Sequence, residues 1–209
     1  DWVLGHTGWD HDWIKNKSDY YIKNIKGEII DPIDFRTGKS FGWTDVADLD
    51  YSNLKMREEL RQAMIYWVKE ADIDGYRIDQ AYAVPKIFYD KTFKALRDIK
   101  PVFLLAETDI YHPGGIELVS KFDATYDWTG HHLSKDIAKG RKNANDYYKH
   151  IKRTIRLYGK DNILVNFVSN HDENSWNGTI NESYGDAQYV FMAMNYMLPG
   201  MPLVYSGQE

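Results

Sequence analysis

Short apolar runs alternate with amphipathic segments from residue 53 to the end of this 209-residue chain, and that rhythm restricts the fold more than any other feature. Leu60, Met64, Trp67, Val68 and Ala71 recur at helical spacing among charged residues, which predicts a helix over 53–72. A strand over 75–79 follows, then a helix over 85–98 with Pro85 in its first turn. Further strands are predicted over 102–106, 122–126, 163–169 and 202–205, and helices near 144–158 and 186–197. Strands that alternate with helices imply right-handed crossovers and a parallel sheet. Periodicity alone fits a doubly wound sheet and a barrel equally well. Residues 8–50 break the rhythm: they are rich in Asp, Gly, Trp and Lys, and read as an irregular insertion after a first strand over 1–4.

Composition narrows the partners. A chain of this length buries one sizeable core. Lys and Arg total 26 against 31 Asp and Glu, a net charge of −5, and there is no basic stripe of the kind a nucleic acid requires. No apolar run reaches membrane-spanning length. With no cysteine, neither a disulfide framework nor a thiol nucleophile is available, and the compartment stays open. The 16 Tyr, 7 Trp and 8 Phe include several in apparent loops, where flat rings suit sugar faces as well as they suit a core. The first residue is not Met and lies within a predicted strand, so the chain is expected to be a piece of a longer protein.

Polar residues gather where the predicted strands end: His6, Asp79, Glu107, and His171 with Asp172. In a parallel α/β barrel all such ends share one face, where active sites form. A lone Asp after a strand is usually a helix cap or a turn residue, but three carboxylates with His6, His171 and Arg77 make a less ordinary set. Carboxylates held close together raise one another's pKa, so that one stays protonated while another stays ionised. Splitting a glycosidic bond with retention requires that division of roles. In the stretch 167–176, Phe167 and Val168 read as the end of a buried strand and Asn170, His171 and Asp172 as its opening onto the mouth. Glu173, Asn174 and Trp176 read as a solvated rim. His131 and His132 read as a loop or substrate rim rather than a metal site, because adjacent histidines point different ways in a regular element. His6, His11, Asp10 and Asp12 lack the spacing of a zinc helix.

Five short stretches in order give the set a family likeness. Asp1-Trp-Val-Leu-Gly-His6, Asp74-Gly-Tyr-Arg-Ile-Asp79, Leu105-Ala-Glu107 and Ser169-Asn-His-Asp172 resemble the four signatures of the α-amylase family. Val46-Ala-Asp-Leu-Asp50 resembles its fifth signature, and Gly200 to Glu209 is similar to its eighth barrel strand. The resemblance implies an α/β fold, a (β/α)8 TIM barrel in part (strands three to eight), with residues 1–209 as partial catalytic domain. The stretch 8–50 becomes a short B-domain-like insertion after the third strand, and the remaining barrel strands are expected from the same longer polypeptide. It implies a retaining glycosidase that cleaves α-1,4 bonds in starch or maltooligosaccharides through a covalent glycosyl-enzyme. The same catalytic trio also serves α-glucan transglycosylases and α-1,6- or trehalose-acting relatives. A non-catalytic glucan-binding relative is the reading from another class.

On that resemblance Asp79 matches the nucleophile and Glu107 the general acid/base. Asp172 matches the third carboxylate, which stabilises the oxocarbenium-like transition state. Arg77, two residues before Asp79 on the same strand face, would keep its carboxylate ionised. His6 and His171 match histidines that hydrogen-bond the same sugar, and Trp43 is a candidate for lining a sugar subsite. Tyr82 stands where the family often has Lys, followed by Ala83 where it has His, so Tyr82 is expected to stack on an acceptor-side ring instead. No cofactor is needed for the chemistry. Many members hold calcium, which takes six to eight oxygens. Here Gly5 replaces the usual Asn ligand, leaving Asp48 as the candidate side-chain ligand. The resemblance favours a periplasmic, extracellular or cell-surface setting over a cytoplasmic one.

Overall fold

Asn53 starts the longest helix by accepting hydrogen bonds from the backbone N–H groups of Lys55 (3.0 Å) and Met56 (3.2 Å). Leu54–Glu70 then buries Met56, Leu60, Met64 and Val68, a stripe with one residue per turn. The computed structural model describes residues 1–34, 37–112, 114–159 and 162–209. They fall into two compact units, Asp1–Leu104 and Leu105–Glu209.

In the first unit, strand Gly75–Asp79 runs parallel to Trp2–Val3, with Val3 opposite Asp79. Its alternate residues Tyr76 and Ile78 are buried, which turns Arg77 and Asp79 to the other face. Glycine is required at position 75, because a Cβ there would lie 1.9 Å from the carbonyl oxygen of Phe103. Helix Lys86–Arg97 buries Phe88, Tyr89, Thr92, Phe93 and Leu96. Pro85 occupies its N-cap, just outside the first turn where the sequence places it. The insertion is less irregular than expected. Strand His6–Gly8 pairs antiparallel with Val46–Asp48, so the excursion leaves and returns through one ladder. Between them lie a short helix, Asp12–Asn16, and the pairing of Ile33–Asp34 with Lys39–Ser40.

The chain passes from the first unit to the second within strand Phe103–Ala106. Ala124–Tyr126 pairs parallel with Leu105 and Ala106 on one side and with Ile163–Asn166 on the other. Met201–Pro202 adds to Ile163–Asn166, also parallel. Helix Ala144–Tyr158 has the predicted bounds and opens with a capping box between Asn143 and Asp146. The helix predicted over 186–197 is observed as Gln188–Met197, after a single 3-10 turn. Most strands are shorter than predicted: the first is Trp2–Val3, and those expected over 102–106 and 122–126 are Phe103–Ala106 and Ala124–Tyr126. The one starting at Ile163 stops at Asn166, and the last is Met201–Pro202 rather than 202–205. Helix Trp128–Ala138 has no counterpart in the sequence reading. Among the described residues no helix is long and apolar enough to cross a membrane.

Candidate active site

Asp79 is the last residue of its strand, and Arg77 reaches it along the same face. The Arg77 Nη1 donates to Asp79 Oδ1 at 2.8 Å and to the Asp1 carboxylate at 2.9 and 3.2 Å. The Arg77 and Asp79 side chains are only 11% and 18% exposed, so the pair works in a partly dry setting where charge pairing is strong. Gln80 follows at φ 41°, in the left-handed region, which costs a non-glycine residue roughly 1–3 kcal/mol. The chain thereby turns sharply away from Asp79 into the turn Ala81–Ala83, which carries half-buried Tyr82.

His6 begins the ladder of the insertion, opposite Asp48. Burial lowers its pKa, against the opposing fields of Asp79 and Asp45, so at neutral pH the ring is uncharged and able to accept as well as donate. Trp43 lies 6.2 Å from the His6 ring and stacks on Phe41 at 4.7 Å, the planes 22° apart. The first unit therefore brings together Arg77, Asp79, His6 and an aromatic pair.

Asp48 is buried, and its Oδ2 has no hydrogen-bond partner. Burial pushes its pKa up to about 6, against backbone hydrogen bonds from Ile33 and Leu49, and Asp31 and Asp50 add to the rise. A calcium ion would need more than this one oxygen. The carbonyl of Gly5 is taken by Leu49 N–H at 3.0 Å, Asp31 accepts from Ser40, and Asp50 accepts from Ser52.

In the second unit, Glu107 directly follows strand Phe103–Ala106 and is buried, as are Thr108 and Asp109 after it. The loop is braced by Asp109, whose carboxylate accepts from Tyr111 N–H at 3.0 Å and Thr129 N–H at 2.8 Å. Asp127 caps helix Trp128–Ala138 through Gly130 N–H at 2.9 Å and also meets the buried His150 Nε2 at 2.9 Å.

His171 and Asp172 follow the strand as the sequence suggests, but after a four-residue connection and in the first turn of a helix. Phe167 and Val168 are buried but lie beyond the strand, and His171–Trp176 is a helix. Asn170 caps it, accepting from Glu173 N–H at 2.8 Å. His171 Nε2 lies 3.5 Å from Asp172 Oδ2, with side chains 50% and 43% exposed. Asn174 and Trp176 are exposed as a rim residue should be, but Glu173 is buried. Its Oε2 accepts from Lys135 Nζ at 2.7 Å and faces His131 Nε2 at 3.0 Å, and its Oε1 accepts from Asn177 at 3.0 Å.

His131 also departs from expectation. It is a buried helix residue lying flat on Phe167, with centroids 4.6 Å apart and planes 6° apart. One donor atom each from His131, His132 and Glu173 lies within 4.8 Å of the others, a spacing that would suit a metal. The Lys135 ammonium already supplies the positive charge there. The signal that was readable is the i, i+4 spacing of His131 and Lys135, with Asp127 as cap.

The α-amylase catalytic-domain family model matches residues 1–100. α-Amylase 3 of Dictyoglomus thermophilum is 26% identical across the whole chain, which covers 46% of that protein. A 4-α-glucanotransferase of Thermotoga neapolitana is also 26% identical across the whole chain, covering 51% of it. The solved maltogenic α-amylase AmyB of T. neapolitana superposes on 99% of this chain with a TM-score of 0.82 at 28% identity, and 45% of it is covered. An acarbose-bound α-amylase of Geobacillus thermoleovorans superposes on the full chain with a TM-score of 0.78 at 25% identity, 48% of it covered. The chain thus spans about half the length of these relatives. With its parallel strand pairing, the fold is part of a (β/α)8 barrel.

Proposed function

We propose that this chain, which is similar to α-amylase-family catalytic domains, supplies the catalytic groups of a retaining α-glucan hydrolase acting on α-1,4 bonds. Asp79 attacks the anomeric carbon. Glu107 first protonates the departing glycosidic oxygen and then deprotonates the incoming water. Asp172 stabilises the oxocarbenium-like transition state, and His6 and His171 hydrogen-bond the sugar. The Arg77–Asp79 contact carries this reading most directly. A nucleophilic carboxylate must be ionised and aimed, and a guanidinium fixed on the same strand face does both. His6, uncharged at neutral pH, adds a hydrogen-bonding group without a second positive charge beside Asp79.

Glu107→Gln tests the assignment in the whole protein. Turnover of maltooligosaccharides should fall by about 10²–10⁴-fold, while the first step on a substrate with a good leaving group is largely spared. Equal losses on both would remove Glu107 as the acid. The likeness to a glucanotransferase keeps transfer in view as a second reading. Product analysis decides: transfer products in excess of hydrolysis on maltooligosaccharides would replace hydrolase with transglycosylase. A protein that binds α-glucans and turns over none of them would be the non-catalytic relative.

A further inference from the structure

Helix His171–Trp176 is too short to be stable by itself, so something outside it must hold it. Its apolar contacts do not: Trp176 is 82% exposed, and of the six residues Glu173 is the buried one. A buried carboxylate thus does the work usually left to a hydrophobic face. Its partners His131 and Lys135 lie one turn apart on helix Trp128–Ala138. That helix is fixed in turn. Asp127 caps it and meets His150, Ser134 Oγ lies 2.8 Å from the Tyr184 hydroxyl, and the His131 ring lies flat on Phe167. Phe167 belongs to the same connection that leads into Asn170, the cap of the short helix.

We propose that Glu173 is a positioning residue: through Lys135, His131 and Asn177 it fixes the short helix and so the placement of His171 and Asp172. The inference rests on Asp172 being the transition-state carboxylate. Burial by itself would push the Glu173 carboxyl up, but the Lys135 ammonium at 2.7 Å and the His131 ring at 3.0 Å outweigh it and hold the pKa at about 2. The anchor therefore stays charged over the whole range in which a protein of this kind works. Glu173 takes no part in the chemistry itself. It is the buried residue of the helix whose first turn carries the half-exposed Asp172.

The test uses the whole protein and kinetics on a maltooligosaccharide, with kcat expressed per active site titrated by a slow activated substrate. Asp172→Asn should be nearly inactive. Glu173→Ala should lose about 100-fold in kcat, the cost of a displacement on the order of 1 Å, with KM changed by less than about threefold. Glu173→Gln keeps the side-chain length and an oxygen for Lys135 but loses the charge, and should lose only about tenfold. If Glu173→Ala does not fold, Glu173→Gln and Lys135→Met decide, each with reduced kcat per titrated site. A drop in melting temperature with unchanged kcat per titrated site, or kcat within about twofold of wild type in the folded variants, overturns the proposal alone. Full turnover in Asp172→Asn overturns the catalytic reading and the positioning role with it.

Discussion

Two acidic residues in this chain are matched to the same reaction but are held in opposite ways. Asp79 ends a strand, is 18% exposed, and takes a 2.8 Å hydrogen bond from a guanidinium two residues away. Asp172 lies in the first turn of a short helix, is 43% exposed, and among the described residues is met by the adjacent His171 at 3.5 Å. The first is positioned by its own strand, and the pleat that sends Tyr76 and Ile78 into the core sends Arg77 and Asp79 together to the opposite face. The second is positioned from beneath, by Glu173 and residues some forty positions earlier in sequence. A nucleophile must be aimed along one line, and a strand end provides that rigidity. In the proposed reaction Asp172 meets the sugar from a more exposed position, and what fixes it is the anchoring of its helix.

The comparison makes graded predictions. Arg77→Met should be the most damaging, lowering kcat/KM by about 100-fold or more, because it strips the partner from a partly buried charge. Arg77→Lys should recover part of the loss, since it keeps the charge and loses the fixed fork. A loss no larger than that of His171→Ala would break the contrast between the two carboxylates. His171→Ala itself should cost about tenfold in kcat/KM and leave stability within about 0.5 kcal/mol, since its side chain is half exposed. Trp43→Ala should raise KM by about three- to tenfold with kcat little changed, as removal of a stacking surface would. A selective fall in kcat would move Trp43 from binding to positioning.

Asp48 gives the smallest effect, and it concerns stability. Its folded pKa of about 6 lies above the ordinary value of 3.8, so between those values the folded state binds more proton than the unfolded state. Stability therefore falls as pH rises from about 4 to about 6 and stays lower above that. Asp48→Asn should flatten this slope and raise the melting temperature at pH 7 by about 2–4 °C, roughly 1 kcal/mol once solvent screening is allowed for. Millimolar calcium should leave the wild-type melting temperature unchanged. A calcium-dependent rise that Asp48→Asn abolishes would show that the site takes the metal after all.

Strands and helices with a plain periodicity were legible. Gly75–Asp79 and Ala144–Tyr158 have the bounds their patterns predict, the second helped by Asn143 and Asp146 at its start. Helix Trp128–Ala138 was not, because what it buries is Gly130, His131 and Ser134, and a search for apolar periodicity is blind to such a face. The stretch 163–169 reads as one strand because apolar residues run through it. Phe167 and Val168 are buried after the ladder has ended. The site shows the same division. Arg77 and Asp79 follow from the two-residue period of a strand. The burial of Glu173 does not, since a charge next to Asn and Ser looks solvated until Lys135 and His131 are brought to it from a distant helix. Local periodicity places a residue on its own element, and only tertiary packing shows what lies beneath that element.

The most direct test of the account is to trap the covalent intermediate in the whole protein. A fluorinated glucosyl donor with fluoride as leaving group slows hydrolysis of the glycosyl-enzyme, and peptide mass spectrometry then locates the sugar. The account predicts one glucosyl unit esterified to Asp79, slower labelling of Asp79 in Arg77→Met, and none at that position in Asp79→Asn. A sugar attached to Glu107 or Asp172 would contradict it, as would turnover with inversion at the anomeric carbon.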